Sequence, residues 1–231
     1  SIYSGEIKIV TDLNMKKIVN FIFDLDGTLT DPGLGITGSI IYALEKYGIQ
    51  AERSSLYRFI GPPLRETFSE HFGFSKEKSE EAVGFYREYF EKRGMFENIV
   101  YPGIPELLSG LKLAGKRLMV ATSKPGPYAV RILEHFRLAE YFVYIAGSRM
   151  DGSMISKAEL ISAIINETGS DPGQSVMVGD RVYDIEGARA HGISSVGVKY
   201  GYAGPGEIEG ARPSFIADDV PGLASLLYSF A

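Results

Sequence analysis

From residue 101 onward, short apolar runs alternate with segments whose apolar residues recur every three or four positions. The short runs predict strands, and the longer recurrence predicts amphipathic helices. The predicted helices cover residues 105–114, 127–136, 157–168, 184–191 and a terminal stretch from about Pro221. The predicted strands cover residues 117–121, 142–146, 175–178, 195–198 and, weakly, 214–217. This alternation indicates right-handed crossovers and a parallel sheet flanked by helices.

The stretch between residues 32 and 100 has a different pattern, because its apolar residues recur only at helical spacing. Ile36, Ile40 and Leu44 lie on one stripe of a first helix. Two further helices are predicted over residues 64–72 and 76–93, and we find no strand pattern in the interval. A helical block between a strand and the next α/β segment indicates an inserted subdomain.

The fold class that follows is α/β. We expect a doubly wound parallel sheet, a Rossmann-like core, built from residues 15–31 and 101–231. An all-helical cap is expected over residues 32–100. Its predicted hinges, residues 31–33 and 100–103, both carry Pro and Gly, which favour turns over regular structure.

Composition narrows the class of protein. The 231 residues are 45% hydrophobic and 23% charged, which is ordinary for a soluble globular chain with a sizeable core. A net charge of -5 and scattered basic residues argue against a nucleic-acid surface, and no apolar window has membrane-spanning length. The absence of cysteine excludes disulfides and thiol nucleophiles, and it fits a reducing cytoplasm, where we expect the protein. Neither a nucleic acid nor a membrane is an expected partner.

The first fourteen residues precede Met15, which stands immediately before the first strong strand. We therefore expect residues 1–14 to be a leader and Met15 to be the natural start. An alternative is that Ile7 and Ile9 belong to a short edge strand. Deletion of residues 1–14 separates these interpretations, because loss of stability or activity would contradict a leader.

Two carboxylates follow the first apolar run. Residues 18–23 are almost continuously apolar, as in a strand buried on both faces, and Asp24 and Asp26 come directly after it. Two residues apart in extended backbone, they point to the same side, so a proton or a cation must offset their repulsion. Gly27 lets the chain turn away. The alternative without a functional role is a strand followed by an acidic turn.

Hydroxyls and a lysine mark two further helix starts. Thr122 and Ser123 end a strand where a helix begins, and such a position can hold an anionic oxygen. Ser and Thr are also ordinary helix caps. Lys157 starts another helix, where a cation is mildly unfavourable against the helix dipole, so the position suggests another role than a solvated surface lysine.

A second acidic pair follows a later strand. Residues 175–178 are an apolar run that leads into Asp180 and Asp184, four positions apart across a turn into a helix. At that spacing the two carboxylates can face one pocket. Acidic residues at the amino end of a helix are also favoured by its dipole, which is the structural alternative.

Taken together, these motifs resemble the haloacid dehalogenase-like superfamily, specifically its phosphatases with a helical cap after the first motif. The run from Asp24 to Thr28 is similar to the first motif, Thr122-Ser123 to the second, Lys157 to the third, and the segment from Gly179 to Asp184 to the fourth. The resemblance covers the chain from about residue 16 to its end. It is strongest to members described as phosphoglycolate phosphatase-like, which have similar segments at residues 61–64, 122–125 and 179–181.

The resemblance implies a role for each site residue. Asp24 would be the nucleophile that forms an aspartyl-phosphate, and Asp26 would be the acid–base group. Mg²⁺ would bind the Asp24 carboxylate, the Asp26 backbone carbonyl and Asp180, with Asp184 in support. The phosphoryl oxygens would be held by a set drawn from several loops: Gly27, Thr122, Ser123 and Lys157. Dehalogenases of the superfamily lack the second acid, so Asp26 favours phosphoryl transfer.

The predicted cap carries a candidate selectivity loop around Gly61. Arg65 could bind a substrate carboxylate or a second phosphate as a bidentate donor. The alternative is a solvated helix residue beside Glu66 and Glu70. The aromatic residues of the third cap helix are expected to form the core of the lid, and the alternative is a platform on which a nucleotide base stacks.

The function predicted is Mg²⁺-dependent hydrolysis of a small phosphorylated metabolite, with phosphoglycolate as the family-name substrate. A 5'-nucleotidase is a serious alternative. A β-phosphoglucomutase-type sugar phosphomutase shares the core motifs, and a non-catalytic phosphate-binding regulatory module is the alternative outside enzymes. The sequence leaves open whether the protein is a monomer or a dimer.

Overall fold

The computed structural model describes residues 17–154 and 156–230, so the predicted leader lies outside the described residues. In that part of the chain, the main sheet has six strands in the order β5-β4-β1-β6-β7-β8, and neighbouring strands pair in parallel. The strands are β1 (Asn20–Phe23), β4 (Arg117–Pro125), β5 (Phe142–Ser148), β6 (Ser175–Gly179), β7 (Ser194–Val198) and β8 (Phe215–Ala217). The predicted α/β class with a parallel sheet is confirmed.

The order of the strands brings the two acidic motifs together. β1 lies between β4 and β6, and its residues Asn20 to Phe23 pair with Arg117 to Val120 on one side and Ser175 to Val178 on the other. The chain extends the sheet outward from β1 through β4 to β5, and then returns to add β6, β7 and β8 on the opposite side. The order reverses at β1, which is where open α/β sheets bind their ligands.

Helices cover both faces of this sheet and fill the connections. They are α4 (Ile104–Leu113), α5 (Gly126–His135), α6 (Lys157–Thr168), α7 (Val182–Ala190), α8 (Glu207–Ala211) and α9 (Val220–Ser229). The residues of β1 alternate between two hydrophobic clusters, Phe21 and Phe23 in one and Ile22 in the other. The central strand is therefore buried on both faces, as its continuous apolar run predicts.

The segment between residues 31 and 99 is helical. It contains α1 (Gly33–Glu45), the short α2 (Leu64–Glu66), α3 (Lys76–Tyr89) and two π-helical turns, Thr67–His71 and Phe90–Gly94. α1 and α3 pack against each other and contribute Ile40, Leu44 and Ala82 to the larger hydrophobic cluster. We call residues 32–98 the cap segment. The helix predicted over residues 76–93 thus widens into a π turn at Phe90 instead of continuing as regular α-helix.

A short strand pair at the base of the cap segment was not predicted. β2 (Thr30–Asp31) and β3 (Ile99–Val100) pair antiparallel, with Thr30 opposite Val100. The expectation of no strand between residues 32 and 100 is therefore wrong at Ile99–Val100. Two-residue strands carry no readable alternation, so only their pairing across nearly seventy residues of chain defines them.

The length and apolarity of the helices show whether any of them could span a membrane. Among the described residues, no helix is both long enough and apolar enough to cross a lipid bilayer.

Candidate active site

The carboxyl ends of three neighbouring strands and the start of one helix meet below the cap segment. Asp24 follows β1, Asp180 follows β6, Thr122 lies in the last part of β4, and Lys157 is the first residue of α6. A cavity of about 220 Å³ lies between these residues and the cap segment, and Asp24, Thr122 and Lys157 line it. The structure therefore brings all four sequence motifs to one place.

Lys157 is the cation at the bottom of this cavity. Its Nζ lies 2.9 Å from Asp24 Oδ1 and 2.8 Å from Asp184 Oδ1, and it donates to the Ala121 carbonyl at 2.8 Å. Burial alone would lower the pKa of Lys157, but the charges of Asp184 and Asp24 outweigh it and raise the pKa above its ordinary value. The buried ammonium group is therefore held charged, with an acceptor for each of its protons.

Local capping explains why the two helices start where they do. At α6, the Ser156 hydroxyl accepts from the Glu159 amide and the Glu159 carboxylate accepts from the Ser156 amide, a capping box that places Lys157 in the first turn. At α7, Asp184 Oδ2 accepts from the Arg181 amide at 3.0 Å. Its other oxygen, Oδ1, is the one that faces Lys157.

Three buried carboxylates form a cluster beside Lys157. One carboxylate oxygen each from Asp24, Asp180 and Asp184 lies within 4.8 Å of the others. Burial raises the pKa of Asp180 well above its ordinary value, and the neighbouring charges of Asp24 and Asp184 add to this. Burial likewise raises the pKa of Asp184 to about 6, although Lys157 opposes the shift. Lys157 supplies only one positive charge to three carboxylates, so the cluster retains excess negative charge.

This donor set fits a divalent cation. Hard, anionic oxygen ligands arranged around one point are what Mg²⁺ prefers, and a cation there would relieve the repulsion that raises the pKa values of Asp180 and Asp184. The Asp180 carboxylate is also oriented, because Tyr202 N donates to its Oδ2 at 2.7 Å and Thr28 Oγ1 donates to its Oδ1 at 3.3 Å. Outer hydrogen bonds of this kind hold ligands in place for a metal.

Gly27 supports the cluster from outside the cavity. Its φ is +86°, and a Cβ at this position would lie 2.2 Å from Asp180 Oδ2, so a side chain would push the carboxylate away. Its amide donates to the Thr30 carbonyl at 2.7 Å. The predicted phosphate contact of Gly27 therefore has no free backbone donor here, and Gly27 instead allows Asp180 to approach.

Asp26 faces the cavity from the turn after β1 and has a partner that sequence reasoning missed. Its Oδ2 lies 2.9 Å from Lys124 Nζ, and its Oδ1 has no hydrogen-bond partner among the described residues. Burial raises the pKa of Asp26, and the charge of Lys124 only partly opposes this. Lys124 also lies 4.6 Å from the centre of the Phe90 ring in the cap segment. A buried lysine has no local sequence signal, so only the pairing reveals it.

The predicted phosphate-binding hydroxyls lie along the same wall. Thr122 and Ser123 both line the cavity. Thr122 Oγ1 accepts from the Lys124 amide at 3.1 Å, in the part of β4 where the register with β5 shifts. The irregular end of β4 therefore brings Thr122 and Ser123 to the cavity.

The two residues predicted for selectivity lie on the opposite side of the cavity. Gly61 and Arg65 both line it. Gly61 stands against the Arg181 guanidinium, which donates to the Ile60 carbonyl and so joins the core to the cap segment. Arg65 is paired with Glu80, so its guanidinium already has a protein partner.

The rest of the cap side of the cavity is largely apolar. The lining residues from the cap segment include Ile36, Phe59, Leu64, Val83, Tyr86 and Phe90. Most of them also belong to the larger hydrophobic cluster, as expected for the core of a lid. Tyr86 and Phe90 therefore both pack the cap segment and line the cavity.

Comparison with known proteins agrees with this geometry. Residues 21–198 match the family model of haloacid dehalogenase-like hydrolases. The structure superimposes on the crystal structure of a predicted phosphatase from Clostridium acetobutylicum with a TM-score of 0.89 and 42% sequence identity, covering 93% of this chain and 100% of that one. The chain belongs to the haloacid dehalogenase-like hydrolase family.

Two curated relatives carry names at the level of activity. A 5'-nucleotidase of Pseudomonas aeruginosa is 42% identical over 211 residues, which cover 91% of this chain and 96% of that protein. A phosphoglycolate phosphatase of Agrobacterium fabrum is 31% identical over 217 residues, which cover 90% and 91% of the two chains. The predicted resemblance and the predicted enzyme class, a phosphatase of this family, are confirmed.

Proposed function

We propose that this protein hydrolyses a small-metabolite phosphomonoester with Mg²⁺ and through a phosphorylated Asp24. The observation that carries the proposal is the convergence of Asp24, Lys157, Asp180 and Asp184 on one point, beside Asp26 Oδ1, for which the described residues provide no hydrogen-bond partner. A nucleophile, a fixed cation, a metal-binding set and an acid–base group are what such a reaction requires.

In the proposed reaction, Asp24 attacks phosphorus. Because Lys157 holds its Oδ1, the second carboxylate oxygen forms the new oxygen–phosphorus bond while the ester oxygen–phosphorus bond breaks. Mg²⁺ held by Asp24, Asp180, Asp184 and the Asp26 carbonyl would supply positive charge that offsets the repulsion between carboxylate and phosphate. Lys157 adds a second positive charge next to the transferring group.

Asp26 moves the protons in both halves of the reaction. It first protonates the leaving oxygen, and it then takes a proton from the water that attacks phosphorus and releases phosphate from Asp24. Burial raises the pKa of Asp26, which favours the protonated form that the first step needs. Thr122 and Ser123 are proposed to hold the phosphoryl oxygens during both steps, from hydroxyls or backbone amides on the cavity floor.

The substrate is proposed to be a small phosphorylated metabolite, and the cap segment bears on which one. We propose that residues 32–100 act as a cap that covers the site and contacts the leaving group. Phosphoglycolate remains the substrate that the sequence resemblance favours. The apolar and aromatic cap wall favours a leaving group with a ring, as in a 5'-nucleotide, and the name of the Pseudomonas relative supports this second candidate.

The test compares Asp24→Asn with Asp218→Asn. Asp218 is a matched control, because its side chain is 82% exposed and lies outside the cavity. With p-nitrophenyl phosphate and Mg²⁺, we expect Asp24→Asn to lose turnover by about 10⁴-fold or more and Asp218→Asn to keep it. Acid-quenched wild-type enzyme should carry phosphate on Asp24 during turnover. Substantial activity of purified, folded Asp24→Asn would contradict the mechanism.

Substrate and reaction type are separated by products. Nucleoside 5'-monophosphates, phosphoglycolate and hexose phosphates are offered in turn, and free phosphate and isomeric phosphates are both measured. Free phosphate identifies a hydrolase, whereas an isomeric sugar phosphate identifies a mutase. If neither free phosphate nor an isomeric phosphate forms from any of these esters or from p-nitrophenyl phosphate, a phosphate-binding module would be favoured over an enzyme.

A further inference from the structure

Tyr86 is a buried polar residue that the reaction described above does not use. It lies in α3, is 5% exposed and lines the cavity. Its contacts with the described residues are ring packing and electrostatic interactions, and its hydroxyl makes no hydrogen bond to any of them. Buried hydroxyls are costly when unpaired, so one that faces a substrate cavity is explained most simply by a bond to the substrate.

Packing fixes the Tyr86 ring close to the acid–base group. The ring stacks on Phe90 with centroids 5.5 Å apart and an interplanar angle of 16°. Lys124 Nζ lies 4.6 Å from the centre of the same Phe90 ring and 2.9 Å from Asp26 Oδ2. The charge of Asp26 is also close enough to help raise the pKa of Tyr86, after burial, so the hydroxyl stays protonated.

The cap arginines in the cavity are already occupied by protein partners. Arg65 pairs with Glu80, and Arg87 Nη2 donates to the Met150 carbonyl at 2.7 Å. Tyr86 differs from both, because its ring is packed while its hydroxyl keeps some accessible surface and has no hydrogen-bond partner among the described residues. Between Val83 and Arg87 on the cavity side of α3, it is positioned to distinguish one leaving group from another.

We propose that the Tyr86 hydroxyl determines specificity by donating a hydrogen bond to an oxygen that the leaving group carries within a few bonds of the scissile ester. Suitable oxygens are the ring oxygen or hydroxyl of a sugar or nucleoside and the carboxylate of a short acid. Aryl phosphates without such an oxygen gain nothing from it. The inference rests on the proposed phosphomonoesterase function and adds the residue that reads the substrate.

The experiment removes one oxygen atom, in Tyr86→Phe. Its matched control is Tyr89→Phe in the same helix, because the Tyr89 hydroxyl bonds to Glu97 and Tyr89 does not line the cavity. Both variants keep the aromatic ring, and Tyr86→Phe should melt at the wild-type temperature or above it. The oxygen-bearing substrate is whichever of adenosine 5'-monophosphate, glucose 6-phosphate and phosphoglycolate the wild type hydrolyses fastest, and p-nitrophenyl phosphate is the comparison ester.

The expected result is selective. Tyr86→Phe lowers kcat/KM on the oxygen-bearing substrate by about 10- to 100-fold and changes it less than about threefold on p-nitrophenyl phosphate. Tyr89→Phe changes neither. Equal losses on both esters, or no loss on either, would overturn the proposal, as would a wild type that hydrolyses p-nitrophenyl phosphate but none of the three metabolites. Failure of the proposed function is a separate outcome, seen as activity retained in Asp24→Asn.

Discussion

The two sides of the cavity differ in whether their polar groups have protein partners. On the core side, Lys157 has three acceptors, Asp180 accepts from two donors, and most charges are matched by a fixed neighbour. On the cap side the wall is mainly apolar, and Tyr86 presents a hydroxyl that no described residue binds. The core side therefore provides a preorganised electrostatic environment for phosphoryl transfer, whereas the cap side leaves its specific contact to be completed by a substrate.

From this difference we expect substitutions on the core side to affect the chemical step and substitutions on the cap side to affect substrate selectivity. A substitution on the core side disturbs a network of buried charges, so it should affect every substrate. A substitution on the cap side should depend on the leaving group.

After Asp24→Asn, the largest effect is expected from Asp26→Asn. The amide cannot give or take the proton, so kcat should fall by about 10²- to 10⁴-fold on alkyl phosphates. The loss should be smaller on p-nitrophenyl phosphate, whose leaving group needs less protonation, when the two esters are compared in phosphate-release assays. A variant with wild-type kcat on an alkyl ester would remove Asp26 from the mechanism.

Lys124→Met tests whether the buried pair with Asp26 stabilises the fold. Removing the cation leaves a buried carboxylate unpaired, and we expect the free energy of unfolding at pH 7.5 to fall by about 3 kcal/mol, measured with urea. Since Lys124 holds the pKa of Asp26 down against burial, the variant should take up a proton more readily. As pH falls, the wild type also protonates Asp26 and the pair contributes less, so the difference should shrink. A difference that grows toward pH 5 would contradict this account.

Addition of Mg²⁺ tests the carboxylate cluster itself. In the metal-free protein the pKa of Asp184 is raised from 3.8 to about 6, so the folded state holds more protons than the unfolded state between these values. Its contribution to stability is therefore present at low pH and is lost as pH rises through 6. Mg²⁺ competes with those protons. At about 100 times its Kd it should raise Tm by about 5–10 °C at pH 8, and by much less at pH 5.

The control for that experiment is Asp180→Asn, which removes one charge of the cluster. Its Tm should respond far less to Mg²⁺ at pH 8 than the Tm of the wild type, as measured by calorimetry. An equal response of the two proteins, or a wild-type response that is larger at pH 5, would place the cation elsewhere.

The smallest effect is expected from Arg65→Ala. Because Arg65 already pairs with Glu80 near the surface, we expect kcat/KM to change by at most about fivefold on any good substrate. Glu80→Gln is the matched control, since it removes the protein partner and leaves the arginine in place. A much larger loss of kcat/KM in Arg65→Ala alone would show that Arg65 binds substrate. The cap side would then also use a charged group, and the contrast with the core side would fail.

Local pattern was sufficient for most of the fold. The apolar run before Asp24 is a buried central strand, and the apolar run before Asp180 is its neighbour β6. The start of α6 at Lys157 follows from a capping box formed by Ser156 and Glu159, which are three residues apart in the sequence. The two-residue strands β2 and β3 were missed, because their pairing joins segments far apart in the chain and leaves no local period.

The candidate site was predictable to the same extent. Carboxylates at strand ends could be expected to converge, because parallel strands share one edge of the sheet. The sequence assigns no role to Lys124 or Tyr202. Tyr202 acts through its backbone amide on Asp180, and a backbone contact has no side-chain signature. Lys124 depends on burial beneath Phe90, which belongs to a different region of the chain.

The amino-acid pattern is enough to predict the succession of strands and helices along the chain and the positions of the acidic motifs, because periodicity and capping act within a few residues. Which side chains contact each other depends on the folded arrangement. Thr28 and Asp180 are 152 residues apart and share a hydrogen bond, and Tyr86 of α3 lines the same cavity as Asp24. Such contacts depend on how elements pack, and packing is a property of the whole chain that no single stretch encodes.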